Sequence, residues 1–170
     1  QEIASMGATV LHPKTIPPLQ QHDIPLTICY TKQPQRPGTL ITDHINSEAA
    51  IKSVLVKDDV VVITIENLTM WHKDGFLADV FACFKKHHIS IDLISTSQSN
   101  ITLTLDKKAS AIERAELAHL LDELGQYGHV KMITPCSTIS IVGYKIRKLL
   151  HRLSDVFHVF RSKQVYLVSQ

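Results

Sequence analysis

The stretch that decides the fold is VVVITIENLTMWHKDGFLADVFACFKKHHISIDLISTSQSNITLTLD, which spans residues 60–106. It opens on a nearly continuous β-branched run at residues 60–65, which is typical of a strand covered by other elements. Residues 89–97 alternate Ile, Asp and Leu in the manner of a second strand. After a turn at Ser99-Asn100, a third strand is predicted, with three apolar side chains on one side: Ile101, Leu103 and Leu105.

A helix is predicted between the first two of these strands. The apolar side chains there recur at the spacing of a single helix face; they are Phe76, Leu77, Val80, Phe81 and Phe84. The helix should begin near Asp74-Gly75 and end in the basic run at residues 85–88. Basic side chains at that end suit the negative pole of the helix dipole.

Residues 111–124 predict a second helix, because good helix formers separate apolar positions and Gly125 is placed to stop it. Its apolar side is expected to carry Ile112, Ala115, Leu117, Ala118, Leu121 and Leu124. A short last strand follows at residues 129–133, ahead of Pro135. The order β-α-β-β-α-β predicts an α+β, ferredoxin-like domain, with two helices on one face of an antiparallel sheet.

Composition sets limits on function. The 170 residues and 44% hydrophobic content suffice for one medium domain or two small ones. A formal charge of +2 gives no broad basic surface, which disfavours nucleic acid as a partner. No apolar run approaches the ~20 residues of a membrane helix, and no signal-peptide pattern opens the chain. The three scattered cysteines and ten histidines predict free thiols in a cytoplasmic protein and no metal site.

The chain before residue 54 predicts few elements. A short helix is expected at residues 16–21, with Thr15 as its N-cap and prolines in its first turn. The segment IPLTICY, residues 24–30, predicts a strand with Leu26, Ile28 and Tyr30 on one face and no sequential partner. A proline-rich turn at residues 32–38 and a polar linker up to residue 52 follow.

The pattern of strand and helix then starts again. Residues 63–65 match residues 139–141, and residues 79–81 match residues 155–157 in the same register. This predicts a duplicated module that stops after its second strand at Gln170. We expect the strand at residues 24–30 to help complete it, and further chain to follow.

The two copies differ where a ligand would bind. Gly75 corresponds to His151, and Asp92 corresponds to Val168. A glycine at a helix start lets the backbone N–H groups of residues 75–77 approach a carboxylate. Asp92 offers a carboxylate to an ammonium group, and the neutral hydrogen-bonding partners are expected to be Ser90, Ser97 and Gln98. An anion cradle beside a carboxylate fits a free amino acid.

A structural interpretation stands beside this one. Asp-Gly before a helix is commonly a turn and a cap, and an Asp in a strand often lies at a solvent edge. Met70 and Trp71 either line the site or belong to a core or an interface. The serine-rich residues 95–99 are equally compatible with a plain polar turn.

These residues carry a family resemblance. ENLTMWHKDGFLADVFACFKKHHISIDLISTSQSNITLTLD resembles the first ACT domain in the C-terminal regulatory region of lysine-sensitive aspartate kinases. GATVLHPKTIPP and PGTLI resemble the junction where the kinase catalytic domain passes into that region. The segment CSTISIVGYKIRKLLHRLSDVFHVFRSKQVYLVSQ is similar to the second ACT domain, particularly in bifunctional chains that join aspartate kinase to diaminopimelate decarboxylase.

The resemblance implies four parts. Residues 1–23 would be the tail of the kinase catalytic domain, and residues 24–53 a strand and linker that contribute to the second ACT domain. Residues 54–135 would form the first, ligand-binding ACT domain, and residues 136–170 the incomplete second one.

The implied function is feedback inhibition. The family phosphorylates L-aspartate with ATP at the first step toward lysine, threonine and methionine, and its ACT domains bind an end-product amino acid, commonly at a homodimer interface between first ACT domains. The residues that match lysine-contacting positions are Met70, His72, Gly75, Phe76, Leu77, Ser90, Ile91, Asp92, Ser97 and Gln98. Gln98 stands where such enzymes place a glutamate, which predicts weaker lysine binding or a different effector, with threonine as the competitor.

No catalytic residue is expected in this chain. The family's lysine-containing glycine motif has no counterpart here, and the six glycines form no phosphate loop, so ATP and Mg²⁺ would belong to a kinase domain outside it. The alternative function is a dimerisation module with a degenerate ligand site. An RNA-recognition domain is disfavoured because the third strand offers no aromatic side chains.

Overall fold

The computed structural model describes residues 10–42, 48, 50–106 and 113–163. Of these, residues 57–138 form one compact unit, and the residues up to 56 together with those from 139 form another. In chain order the helices and strands are α1 (Ile16–Gln21), β1 (Leu26–Ile28), β2 (Thr39–Ile41), β3 (Ala50–Glu66), α2 (Phe76–Lys86), β4 (Leu93–Thr96), β5 (Asn100–Asp106), α3 (Arg114–Leu124), β6 (His129–Tyr144) and α4 (Leu153–Ser162). Short 3₁₀ turns lie at Pro13–Thr15, Gly125–Tyr127 and Ile146–Arg152.

Strands β3 to β6 form a four-stranded sheet in the order β4-β5-β3-β6. β5 is antiparallel to both of its neighbours, with Val60 opposite Asp106 and Glu66 opposite Asn100 on one side, and Leu93 opposite Thr104 on the other. With α2 and α3 inserted in the chain order, this is the β-α-β-β-α-β layout. The α+β, ferredoxin-like prediction is confirmed.

One hydrophobic cluster joins the sheet to both helices. The three predicted side chains of β5 are fully buried in it, and their partners across the register from β3 are buried beside them. From the helices come Phe76, Val80, Cys83, Phe84, Leu120 and Leu124. Each fully buried Leu, Ile or Phe stabilises the fold by roughly 1.5–3 kcal/mol, so this cluster fixes the position of the loops around it.

Helix α2 begins directly after Gly75, as predicted, but its buried face is shifted. Leu77 is 38% exposed, whereas Cys83 is buried. Phe76, Val80, Cys83 and Phe84 lie at i, i+4, i+7 and i+8, so they form a single stripe. Leu77 lies one residue, or about 100° of rotation, away from Phe76 and therefore points out of that stripe.

Helix α3 also departs from the expected apolar side. Leu120 is fully buried although the pattern omitted it, and Ala115 and Ala118 are exposed. Ile112 lies outside the described residues. Gly125 keeps a right-handed backbone with φ −56° and leads into the 3₁₀ turn, so it does not stop the helix by a left-handed cap.

Several strands differ in length from the prediction, since β3 already begins at Ala50 and β1 covers only Leu26–Ile28. β6 runs straight through Pro135, where a strand end was expected. Among the described strands β6 is an outer one, and a proline is tolerated in an outer strand because one side of it needs no N–H donors. β4 is shorter than residues 89–97, since Ile89 is buried and its N–H donates to the Phe84 carbonyl at the end of α2.

The other unit contains α1 where it was predicted, but with different capping. Thr15 has right-handed φ and ψ angles and makes no side-chain capping bond, because the preceding 3₁₀ turn runs directly into the helix. β1 does have a sequential partner, since Leu26 pairs with Ile41 in an antiparallel hairpin with β2. Tyr30 lies beyond the strand and is exposed.

The repeat predicted by the sequence is partly visible. Helix α4 lies where the duplicated pattern places the counterpart of α2, and it follows the last residues of β6. The second strand of the copy lies outside the described residues. In the part of the chain that is described, no helix combines the length and the apolar character needed to cross a bilayer.

Candidate functional site

The N-terminal end of α2 has an open backbone. Gly75 adopts a left-handed conformation with φ 77°, and a Cβ added there would meet no atom within 4 Å. No side chain among the described residues caps this helix, although the Phe76 N–H donates to the Lys73 carbonyl at 3.4 Å. Backbone N–H groups at an uncapped helix start, together with the helix dipole, favour an anion.

The loop before this helix is held by Asn67. Its backbone N–H donates to the Ser99 carbonyl at 2.9 Å, and its side-chain amide donates to the carbonyl of Tyr127 at 2.5 Å. The Tyr127 ring in turn packs edge-on against Phe76, with 6.1 Å between the centroids. The start of α2 therefore lies at the end of the sheet where β3 finishes.

Two other predicted residues of this loop have distinct surroundings. Met70 is half-buried and packs against the hydrophobic cluster, so it serves the core as well as any ligand. His72 has a left-handed backbone with φ 58° and makes an edge-on contact with the exposed Trp71. Leu77 and Trp71 leave an apolar surface beside the helix start.

Asp92 lies just before the outer strand β4. Its N–H donates to the Thr104 carbonyl at 2.8 Å, which joins it to β5. Its carboxylate oxygen Oδ2 accepts a hydrogen bond from Lys57 Nζ at 2.7 Å. The same Nζ lies 2.8 Å from Oδ2 of Asp106, so a single ammonium group bridges two carboxylates.

Lys57 is a residue of the site that the sequence did not indicate. Burial opposes its charged form, but hydrogen bonds to Asp106 and Asp92 outweigh that effect and raise the pKa of the Lys57 ammonium. It is therefore charged at neutral pH. Asp59, with a left-handed φ of 61°, interrupts the alternation of β3 beside it. Simple period-two counting consequently could not place the Lys57 side chain.

The two halves of the predicted site lie at opposite ends of the sheet. Asp92 is bonded to Thr104, whose partner in β3 is Val62, whereas the loop to Gly75 starts after Glu66. Four residues of strand separate these rows, or about 14 Å. The strand register thus places Asp92 well before the end of β3 from which the Gly75 loop departs, and a cradle formed by the Gly75 amides and Asp92 inside one chain stays a prediction.

The remaining predicted residues divide between the same two ends. Ser97, whose N–H donates to the Asn100 carbonyl at 2.8 Å, lies with Gln98 in the turn near the end of β3. Ser90 and Ile91 precede Asp92 at the other end. Two groups of predicted residues thus lie toward different ends of the sheet: toward the end of β3 lie Met70, His72, Gly75, Phe76, Leu77, Ser97 and Gln98, and before β4 lie Ser90, Ile91 and Asp92.

The histidines and acidic side chains do not suggest a metal centre. Across residues 10–42, 48, 50–106 and 113–163, no three His, Cys, Asp or Glu side chains come close enough to hold an ion. His87 instead bonds Glu123 on the neighbouring helix, with 2.8 Å between Nε2 and Oε2.

Comparison with known proteins identifies the region. No protein-family model matches the chain. It is 37% identical over 177 residues to aspartokinase 2, chloroplastic, of Arabidopsis thaliana, covering 99% of this chain and 32% of that protein. It is 31% identical over 169 residues to lysine-sensitive aspartokinase 3 of Escherichia coli, covering 98% of this chain and 38% of that protein. The chain matches the C-terminal regulatory region of aspartokinases.

Solved structures agree with this match to an aspartokinase regulatory region. Escherichia coli aspartokinase III in complex with aspartate and ADP superposes with a TM-score of 0.78 and 32% identity, over 94% of this chain and 36% of that one. The complex of the same enzyme with lysine and aspartate superposes with a TM-score of 0.70 and 33% identity, over 84% of this chain and 32% of that one. The chain thus spans about a third of the length of these relatives.

Proposed function

We propose that this chain is the effector-sensing region of an aspartate kinase, which converts ATP and L-aspartate to 4-phospho-L-aspartate. L-lysine would be the effector, and its binding would cause feedback inhibition of lysine, threonine and methionine biosynthesis. Support comes from the similarity to lysine-sensitive aspartokinase 3 and to aspartokinase III in complex with lysine. The proposal includes the four parts given above, with boundaries after residues 23, 53 and 135.

The single observation that carries the site is the placement of its halves around an outer strand. Among the described strands, β4 is at the edge of the sheet, and it exposes Leu93 by 45% and Ile94 by 51%. An exposed apolar edge strand is suited to pair with another strand. Antiparallel pairing of β4 from two copies would bring the α2 start of one copy beside Asp92 of the other. A symmetric homodimer would then hold two equivalent sites.

The chemistry of each shared site suits a free amino acid. The amides of residues 75–77 would bind the α-carboxylate at the positive end of the α2 dipole. Asp92 would bind an ammonium group, with neutral hydrogen bonds from Ser90, Ser97 and Gln98. Lysine brings two ammonium groups, and the second would meet the amide of Gln98. Effector coupling of this kind is typically worth about 1–3 kcal/mol.

The test is isothermal titration calorimetry of the chain with L-lysine and with L-threonine. We expect lysine to bind below millimolar concentration, and Asp92→Ala to abolish the heat, because the ammonium group loses the carboxylate that is proposed to receive it. Asp122→Ala, an exposed position on α3, is the matched control and should bind like the unchanged chain. A folded chain that binds neither amino acid contradicts the proposal, and tighter threonine binding replaces lysine by threonine as the effector.

One observation favours a second function. Lys57 already occupies the Asp92 carboxylate, and Gln98 is neutral, as expected of a ligand site that has degenerated. The chain would then be a dimerisation module alone. Sedimentation would then show a dimer whose sedimentation coefficient does not change when amino acids are added. Asp92→Ala would leave that dimer unchanged.

Two wider predictions remain proposals. The resemblance of residues 136–170 to bifunctional chains with diaminopimelate decarboxylase is one of them, whereas the bifunctional relatives at 26–30% identity carry homoserine dehydrogenase. A cytoplasmic location is predicted from composition, and the similar plant proteins are described as chloroplastic. ATP and Mg²⁺ would bind to the catalytic domain of the parent protein.

A further inference from the structure

We propose that Lys57 is a built-in competitor for the ammonium group of the effector, and that effector binding moves its side chain from Asp92 onto Asp106. The inference rests on the proposed function, because it takes Asp92 as the carboxylate that receives the ligand. It assigns Lys57 and Asp106 as the residues that set the affinity of that site.

The geometry shows an ammonium group where the ligand's ammonium would have to bind. Lys57 Nζ lies 2.7 Å from Asp92 Oδ2, a distance typical of a strong charge-assisted hydrogen bond. A ligand ammonium cannot take the same position on this oxygen while Nζ remains there. Two cations on one carboxylate would also repel each other. Binding to Asp92 must therefore displace Lys57 or share the carboxylate at a cost in affinity.

Asp106 is the carboxylate with which Lys57 can stay paired after it leaves Asp92. It already lies 2.8 Å from Nζ, and its side chain is 18% exposed, against 36% for Asp92. The more enclosed carboxylate is the stronger partner for an ammonium group, because water screens it less. Lys57 can thus leave Asp92 without becoming an unpaired, partly buried cation, which would be costly.

The competition for one carboxylate gives the direction of the effect. When Lys57 is present, the net binding free energy of a ligand ammonium is the free energy of its bond to Asp92 minus that of the Lys57–Asp92 bond that is lost. Removing the Lys57 charge should therefore tighten binding, and confining Lys57 to Asp92 should weaken it.

The experiment is calorimetry with L-lysine on three variants of the 170-residue chain. Lys57→Met keeps the aliphatic stem and should bind about five- to 30-fold tighter, since the competing bond is charge-assisted. Asp106→Asn leaves Lys57 with Asp92 as its charged partner and should bind about three- to tenfold weaker. The double variant should bind more tightly than Asp106→Asn alone, because no Lys57 ammonium then competes for Asp92.

Two controls make the result specific. Lys131→Met removes a lysine from an exposed ion pair with Glu66, 2.9 Å long, at the other end of β3, and should leave the affinity unchanged. Circular dichroism checks that each variant is folded. In addition, the ¹⁵N signal of the Lys57 ammonium should shift on saturation with ligand in the unchanged chain, even if a variant fails to fold.

The outcomes separate this inference from the proposed function. If the unchanged chain binds lysine and Lys57→Met binds equally or more weakly, Lys57 orients Asp92 and the competitor role is overturned. The competitor role is also overturned if saturation with L-lysine leaves the ¹⁵N chemical shift of the Lys57 ammonium unchanged. If neither the unchanged chain nor any variant binds an amino acid, the proposed function fails and this inference fails with it.

Discussion

Gly75 shows how much one backbone angle decides at the start of α2. Its φ of 77° lies in the left-handed region, which costs other residues about 1–2 kcal/mol. The space around it is open, so the strain comes from the backbone and not from a clash. The sequence could indicate this glycine because Asp-Gly before a helix is a known turn signal.

Gly75→Ala should therefore lower the free energy of unfolding by about 1–2 kcal/mol. Gly125→Ala is a matched control, since that glycine is also in open space but has a right-handed φ of −56°. There alanine should be neutral or stabilise the chain by up to about 1 kcal/mol. Urea denaturation measures both, and equal losses at the two positions would contradict the assignment of strain to Gly75.

Helices α2 and α3 are joined by a small ion cluster as well as by the core. Lys86 and His87 at the end of α2 both reach Glu123 of α3, at 3.0 and 2.8 Å. Hydrogen bonds from Lys86, and then from His87, lower the pKa of the Glu123 carboxyl below its ordinary value of 4.5. The cluster fixes the end of α2 from which the chain continues to Asp92.

This lowered pKa predicts an acid dependence of stability. Because the folded state holds Glu123 below its unfolded pKa of 4.5, its contribution is complete above that value and is lost as pH falls through the lower, folded pKa. Glu123→Gln should therefore be less stable than the unchanged chain at pH 6, with the difference shrinking below about pH 4.5. Thermal unfolding at a series of pH values measures it. Glu116→Gln, exposed on the same helix, should show no such convergence.

At the scale of the whole molecule, the periodic spacing of apolar residues predicts the order of strands and helices but not which strand positions lie opposite each other. The strand and helix at residues 60–86 and the buried face of β5 follow from period alone. The separation of Gly75 from Asp92 depends on strand register, which joins residues far apart in the chain. The Lys57 bridge depends on the same register and on the irregular backbone at Asp59, so no local pattern could reveal it.

The extended β6 was missed for a related reason. A proline normally argues against a strand, and only the outer position of β6 makes Pro135 acceptable. That position is a property of the assembled sheet. Leu120 was omitted from the α3 face because several apolar stripes fit the sequence equally, and packing against the sheet selects one.

The placement of Gly75 and Asp92 at opposite ends of one sheet has a genetic consequence. If each site takes one end from each copy, a chain with a damaged helix start and a chain without the acidic side chain can repair each other. Mixing Gly75→Val and Asp92→Ala chains should yield hybrids with one intact site and one doubly damaged site. Calorimetry should then find about half a lysine per chain in the hybrids, where each parent alone binds none. Two inactive alleles would thus restore part of the sensitivity that neither has alone.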